Sequence, residues 1–208
     1  MLEADIIKPS LGSWAFPLVL VDKKDGTKRF CVDFRKLNQI SKISAWPLPH
    51  IDDILATLGE SRALTSLDLR SGYFQLPLDE DAKEKCTFTS HRGLFSFNVL
   101  PFGLTSAPSL FTSLMSQVLD GINGKFAAAY LDDIVIYSRT PQEHLLHLRE
   151  VFLRLRKSDL KLKRKKCEFM GAEILYLGFT GSKDGIKVDP EKIKAIKEMR
   201  PPRDVRGV

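Results

Sequence analysis

Asp132 and Asp133 sit side by side between two runs that are almost wholly apolar, residues 126–131 and 134–137. Neighbouring positions of an extended chain point to opposite sides. Aspartate is common in turns because its side chain caps local backbone groups. Here, however, the turn has no Gly or Asn to take a positive φ, and the flanking runs read as buried strands. Two carboxylates held this close repel each other, and a divalent cation relieves the repulsion. Asp68 is the natural third acid, near the end of another apolar run at 63–69 and just before Ser71-Gly72. The three together read as a carboxylate site for Mg²⁺, whose hard ligands are oxygens. The other neighbouring acids, Asp52-Asp53 and Asp79-Glu80-Asp81, fall on polar faces or first turns of helices, where solvation and the helix dipole explain them.

Other chemistries find no support. There is no Ser/His/Asp arrangement, phosphate-binding Gly loop with Lys, or dinucleotide fingerprint. His50 and His91 are isolated, while His144 and His147 lie three apart with no acidic or cysteine partner at metal spacing, and read as a polar helix face.

The elements that must position the acids follow from hydrophobic periodicity. Residues 63–69, 126–130 and 134–137 read as strands. An N-terminal hairpin joins 18–21 to 29–34 through Asp22-Lys23-Lys24-Asp25-Gly26-Thr27, and a second joins 86–89 to 94–100 around Arg92-Gly93. Ile51, Ile54, Leu55 and Leu58 predict an amphipathic helix of about three turns closed by Gly59. Pro108 opens a helix with Leu110, Phe111, Leu114, Met115, Val118 and Leu119 on its apolar stripe. Leu145, Leu146, Leu148, Val151, Phe152 and Leu155 predict one more buried helix. Short strands over 173–179 and a helix opened by Asp189-Pro190-Glu191 end the chain. Frequent hairpins with irregular helix placement make this an α+β pattern and not a doubly wound one.

Composition narrows the partners. The 208 residues are 43% hydrophobic, enough for a sizeable core, and carry a formal charge of +6. Residues 149–166 alone carry nine basic side chains and two acids, a local +7 that leaves −1 for the rest. Such a window is either a solvated face or a rail for a polyphosphate backbone. Cys31, Cys86 and Cys167 are few and far apart, which predicts neither a metal knuckle nor a disulfide framework and suits a reducing compartment. Acids at Glu3 and Asp5 interrupt any signal-peptide pattern, and Pro101, Gly103 and Pro108 break the uncharged stretch 93–119, so no membrane association is expected.

Tyr130-Leu131-Asp132-Asp133 resembles the Tyr-x-Asp-Asp motif of reverse transcriptases. Further matches keep that family's order. They are Lys23-Lys24-Asp25-Gly26-Thr27 with Arg29-Phe30-Cys31-Val32-Asp33-Phe34-Arg35-Lys36-Leu37-Asn38, then Leu67-Asp68-Leu69-Arg70-Ser71-Gly72-Tyr73-Phe74-Gln75. Leu100-Pro101-Phe102-Gly103-Leu104-Thr105-Ser106-Ala107-Pro108 and Tyr176-Leu177-Gly178-Phe179 complete the set. Over nearly the whole chain, the combination is similar to the polymerase of gypsy-type long-terminal-repeat retrotransposons.

The resemblance implies a right-hand polymerase fold: fingers at 1–60, palm at 61–80, a return through the fingers at 81–101, palm again at 102–166, and a primer-grip region with the start of the thumb at 167–208. An antiparallel palm sheet packed on helices would carry the acids. It implies RNA-directed DNA synthesis by two-metal phosphoryl transfer, with Asp68, Asp132, Asp133 and the Leu69 carbonyl holding two Mg²⁺ ions, for which Mn²⁺ can substitute. Lys23 and Arg29 would bind the triphosphate, with backbone N–H groups of Ser71 and Gly72; Lys24 and Lys28 would be solvated neighbours. Tyr73 would stand under the sugar and exclude a ribose 2′-hydroxyl, and Phe102 would pack on the nucleotide. Tyr130, Leu131, Lys163, Arg164 and Lys166 would meet the template–primer. The implied partners are an RNA or DNA template with its primer and dNTPs, and the implied location is a cytoplasmic retrotransposon particle.

Two features depart from the family. Gly12-Ser13-Trp14 stands where Ser-Pro-Trp is usual, and the chain lacks both the fingers segment expected before it and the RNase H and integrase modules expected in a full polyprotein. The alternative expectation is a degenerate or domesticated fragment that binds nucleic acid without polymerising. An RNA polymerase with the same palm is disfavoured by Tyr73.

Overall fold

Strands buried at consecutive positions build the centre of the molecule. In this computed structural model the described residues are 1–22, 26, 28–42, 46–59, 61–182, 185–188, 193–194 and 197–198. The elements run β1 (Ile7–Pro9), β2 (Phe16–Asp22), β3 (Lys28–Val32), α1 (Arg35–Ile40), α2 (Ile51–Leu58), β4 (Ala63–Asp68), a 3-10 turn (Gly72–Gln75) and α3 (Glu80–Lys85). Next come β5 (Thr87–Ser90), β6 (Gly93–Phe97), α4 (Ala107–Val118), β7 (Ala127–Tyr130), β8 (Asp133–Ser138) and α5 (Pro141–Lys157). A second 3-10 turn (Arg164–Lys166) leads into β9 (Glu168–Gly171), β10 (Glu173–Tyr176), β11 (Phe179–Ser182) and β12 (Gly185–Val188).

The central sheet has the order β7-β8-β4-β9 and is antiparallel throughout. Both of its faces are covered. Ile134 and Ile136 pack with Phe111 and Met115 of α4 and with Val151 and Leu155 of α5. Val135 and Tyr137 point the other way, onto Ile54, Leu55 and Leu58 of α2 and Ile174 and Tyr176 of β10. A five-stranded sheet, β1-β6-β5-β2-β3, has its own aromatic core of Phe16, Phe34, Phe88 and Phe97. Its β2–β5 pair is parallel and the others are antiparallel. A third sheet pairs β10, β11 and β12.

The short strands expected over 173–179 are β10 and the start of β11, which continues to Ser182, with Leu177 (φ 53°) and Gly178 (φ 79°) turning the chain between them. Several expectations need correction. Helix α2 is about two turns long. The helix expected from Asp189 lies largely outside the described residues. Leu145 and Leu146, assigned to the buried stripe of α5, are 61% and 68% exposed; only His144, Leu148, Val151 and Leu155 of that helix are buried. Leu110 is likewise on the open side of α4.

His144 and His147 are not a solvated face. His144 is fully buried: its Nε2 pairs with Thr65 Oγ1 (2.7 Å) and its Nδ1 with Ser138 Oγ (2.8 Å). Ser138 Oγ also meets His147 Nδ1 (2.7 Å), and the His147 ring stacks on Phe126. Buried polar groups persist only when paired in this way. Among the described residues, no helix is long and apolar enough to cross a membrane.

Candidate active site

Strand pairing brings the three acids together. β4 and β8 run antiparallel in a register that sets Asp68 directly opposite Asp133. β7 and β8 close through Leu131 and Asp132, with Tyr130 opposite Asp133. The turn does take a positive φ, and Leu131 supplies it at 52° despite having a side chain. Such a conformation costs on the order of 1 kcal/mol and persists where surrounding structure imposes it. Here the Leu69 N–H donates to the Asp132 carbonyl (3.0 Å), clamping the turn onto the end of β4.

Gly72 explains the next contact. A Cβ at this position would lie 2.4 Å from Asp132 Oδ1 and 2.8 Å from Phe111 Cζ, so only glycine lets the 3-10 turn approach the carboxylate. Ser71 before it takes a left-handed backbone (φ 50°). Tyr73 then packs between Phe102 (ring centroids 5.1 Å apart) and Phe111 (5.5 Å). Burial, and then the charge of Asp132, raise its phenol above the usual range.

The electrostatics favour a cation. Asp132 Oδ1 is buried and has no hydrogen-bond partner. Burial, then Asp133 and Asp68, push the Asp132 carboxyl up to about 6, against the pull of Lys166. Burial and Asp68 also raise Asp133. Lys166 Nζ reaches Asp68 Oδ2 at 2.7 Å, and that bond raises the lysine. Among the described residues no three His, Cys, Asp or Glu side chains are grouped closely enough to hold a metal ion as they stand. The donor set still fits a hard divalent ion: Asp132 and Asp133 are raised by burial and then by neighbouring acids, and one buried oxygen of Asp132 is left unpaired.

A cleft of about 630 Å³ opens over this floor, lined by Asp68, Leu69, Ser71, Asp132, Phe102, Lys163 and Lys166, and walled by Lys28, Phe30, Cys31, Phe74 and Met1. Lys28, expected to be a solvated neighbour, lines the cleft and pairs with Asp22. Phe30 and Lys28 share one face of β3 by strand alternation, a signal already present in the sequence. Lys23 lies outside the described residues. Arg29 is described only by its backbone, which pairs with Val21. Tyr130 packs in the core on the α2 side of the sheet.

The basic window divides. Arg154 is committed to Glu150 (2.6 Å) and to the carbonyls of Val118 and Asp120, and Lys161 pairs with Asp159 (3.7 Å). Lys163 lines the cleft, Arg164 opens the 3-10 turn, and Lys166, although its side chain is exposed, is held on Asp68. From the far side, Tyr176 Oη donates to the Asp133 carbonyl (3.2 Å), an anchor not foreseen from sequence.

Residues 21–181 match a family model described as reverse transcriptase (RNA-dependent DNA polymerase). The chain is 39% identical over 208 residues to the retrovirus-related Pol polyprotein from transposon gypsy of Drosophila melanogaster, covering 97% of this chain and 20% of that polyprotein. It is 32% identical over 203 residues to the transposon Tf2-3 polyprotein of Schizosaccharomyces pombe, covering 98% and 15%. It therefore spans about a fifth or less of these relatives. Among solved structures, a foamy viral protease-reverse transcriptase in complex with double-stranded DNA superposes with a TM-score of 0.92 at 26% identity, over 99% of this chain and 36% of that one. The same enzyme in complex with an RNA/DNA hybrid gives 0.90 at 26% identity, over 99% and 28%.

Proposed function

The chain belongs to the reverse transcriptase (RNA-dependent DNA polymerase) family and has its polymerase fold, and we propose that it adds deoxynucleotides to a primer 3′-hydroxyl on an RNA or DNA template. The observation that carries this is the β4–β8 register, which sets Asp68 against Asp133 beside Asp132, whose Oδ1 is buried, while Asp68 and Asp132 line the cleft. The five-stranded sheet with β2 and β3 would be the fingers, β7, β8 and β4 with α4 and α5 the palm, and the chain from residue 167, beginning with β9 at the edge of the palm sheet, the primer-grip region and start of the thumb.

Asp68, Asp132, Asp133 and the Leu69 carbonyl would hold two divalent cations, Mg²⁺ or in its place Mn²⁺. When bound, these ions lower the pKa of the primer hydroxyl and neutralise charge developing on the phosphates. The chain's own groups do the rest. By their match to the family's motif, Lys23 and Arg29 would bind the triphosphate, and the N–H groups of Ser71 and Gly72 would receive its oxygens. Tyr73, fixed between two rings, leaves no room for a 2′-hydroxyl, and Phe102 packs on the nucleotide. Leu131, Lys163 and Arg164 would meet the template–primer, with the partly buried Tyr130 beneath them and Lys166, held on Asp68, at its edge. Foamy viral relatives hold double-stranded DNA and an RNA/DNA hybrid, which supports this choice of partner. The setting would be a cytoplasmic retrotransposon particle.

The test is primer extension on an RNA template with dNTPs and Mg²⁺ or Mn²⁺. Wild-type chain is expected to extend, and Asp132→Asn to abolish extension while template–primer binding survives. No extension by well-folded wild type would instead leave a nucleic-acid-binding fragment.

A further inference from the structure

Gln75 ends the 3-10 turn that carries Tyr73. Its side-chain amide makes three hydrogen bonds across 5 and 86 residues of sequence. Nε2 donates to the carbonyls of Arg70 (2.9 Å) and Lys161 (3.0 Å), and Oε1 accepts from the Lys161 N–H (2.7 Å). The flipped amide would set NH₂ against an N–H and the oxygen against two carbonyls, so the network admits one orientation.

Used this way, the amide copies a peptide group. It both donates to and accepts from Lys161, as a residue of a neighbouring strand does. The backbone beside it carries the same pattern: Arg70 N–H to Lys161 C=O (2.9 Å), Lys163 N–H to Asp68 C=O (2.8 Å), and a bridge between Leu69 and Leu162. Gln75 therefore adds a rung to a short ladder whose two rails are the strand leaving Asp68 and the segment leading to Lys163 and Lys166. A half-buried Gln without a task would leave its amide to water, and an aliphatic side chain would pack as well.

We propose that Gln75 is a positioning residue for sugar selection, locking the Tyr73 turn and the basic segment to the strand of catalytic acids. This rests on the polymerase reading above. The turn is held at its start by the fit of Gly72 against Asp132 and at its end by the Gln75 rung. Freeing one end lets the Tyr73 ring shift relative to the sugar, and a steric filter fails with small displacements.

The experiment uses Gln75→Met, which keeps volume and removes the amide, and Gln75→Glu, which keeps an acceptor but removes both donors. The first readout is the ratio of kcat/KM for a dNTP to that for the matching ribonucleotide. Both rates come from one preparation, so loss of folded protein cancels from the ratio. A fall of about tenfold is expected for both variants, against no change in the core control Leu155→Ala, which only destabilises. The second readout is hydrogen exchange at the Lys161 and Lys163 amides. It should quicken at least about tenfold at both amides in Gln75→Met, and at Lys163 in Gln75→Glu, while the amides of 134–136 hold. A wild-type ratio overturns the selection role, and unchanged exchange overturns the rung itself. Wild-type chain that extends no primer defeats the polymerase reading before any variant is made, and the exchange arm then still decides the rung.

Discussion

Gly72→Ala should disable this site while barely altering the chain's composition. The added methyl would sit 2.4 Å from Asp132 Oδ1 and 2.8 Å from Phe111 Cζ. Phe111 is fully buried and cannot yield, so the carboxylate or the turn must move by about an ångström. Overpacking of this kind costs about 1–3 kcal/mol. For a chain this size that is a melting temperature lowered by roughly 2–12 °C. Catalysis should suffer more, because displacing a reacting group by ~1 Å costs on the order of 100-fold in rate. Gly59 is the control: it has helical backbone (φ −61°, ψ −21°), and its added Cβ would come no nearer than 3.7 Å to Ala56 O. There Ala should be neutral or stabilise by about 0.4–1 kcal/mol, through the unfolded chain. Single-nucleotide incorporation, normalised to active sites, separates the rate from the folded fraction. Gly72→Ala with a normalised rate within twofold of wild type would refute the claim that this contact sets the position of Asp132.

Two further outcomes follow from particular contacts. Lys163 and Arg164 make no ion pair among the described residues, so neutralising both should lower the slope of log affinity for template–primer against log salt by about 2, at roughly 0.9 per phosphate contact. Adding Lys166→Met should change that slope little, because its ammonium sits on Asp68; an unchanged slope in the double variant would return the window to a plain solvated face. Burial, and then the charge of His147, lower the pKa of His144 below 6.5. The unfolded chain therefore takes up more protons, and unfolding free energy should fall as pH drops below 6.5, levelling under the lowered value. Asp132, raised to about 6, works in the opposite direction in part of that window, so the informative quantity is the difference between wild type and His144→Gln in urea melts from pH 7.5 to 5.

What could be read from the sequence was what depends on local periodicity. Alternation around Leu67-Asp68 and Ile134-Val135-Ile136 places strands on both sides of the acids, and each strand's alternation decides which side chains face α2 and which face α5. The same signal overreached in α5, where Leu145 and Leu146 continue the apolar pattern but lie beyond the arc that the sheet covers. The turn at Leu131 was legible as a turn but not as a left-handed one, because clamping by Leu69 and not residue preference imposes it. The His144 network, the Gly72–Asp132 fit and the Gln75 rung each join segments distant in sequence. A single chain offers no periodicity that pairs residue 65 with 144, or 75 with 161.

That distance dependence bears on how the site tolerates its own charge. Three carboxylates and a lysine could in principle find one another by attraction and repulsion alone, but salt would then rearrange them. Here they are delivered by backbone ladders. On one side of β4, Asp68 faces Asp133 through the β4–β8 register; on the other, its carbonyl holds the Lys163 N–H and Leu69 bridges Leu162. Lys166 arrives three residues along that second rail, and the Lys166 N–H bonds back to the Lys163 carbonyl (2.8 Å). The ion pair at 2.7 Å is thus a consequence of geometry already set by neutral hydrogen bonds and apolar packing. Ionic strength should accordingly weaken capture of an anionic template while leaving the arrangement of the acids intact.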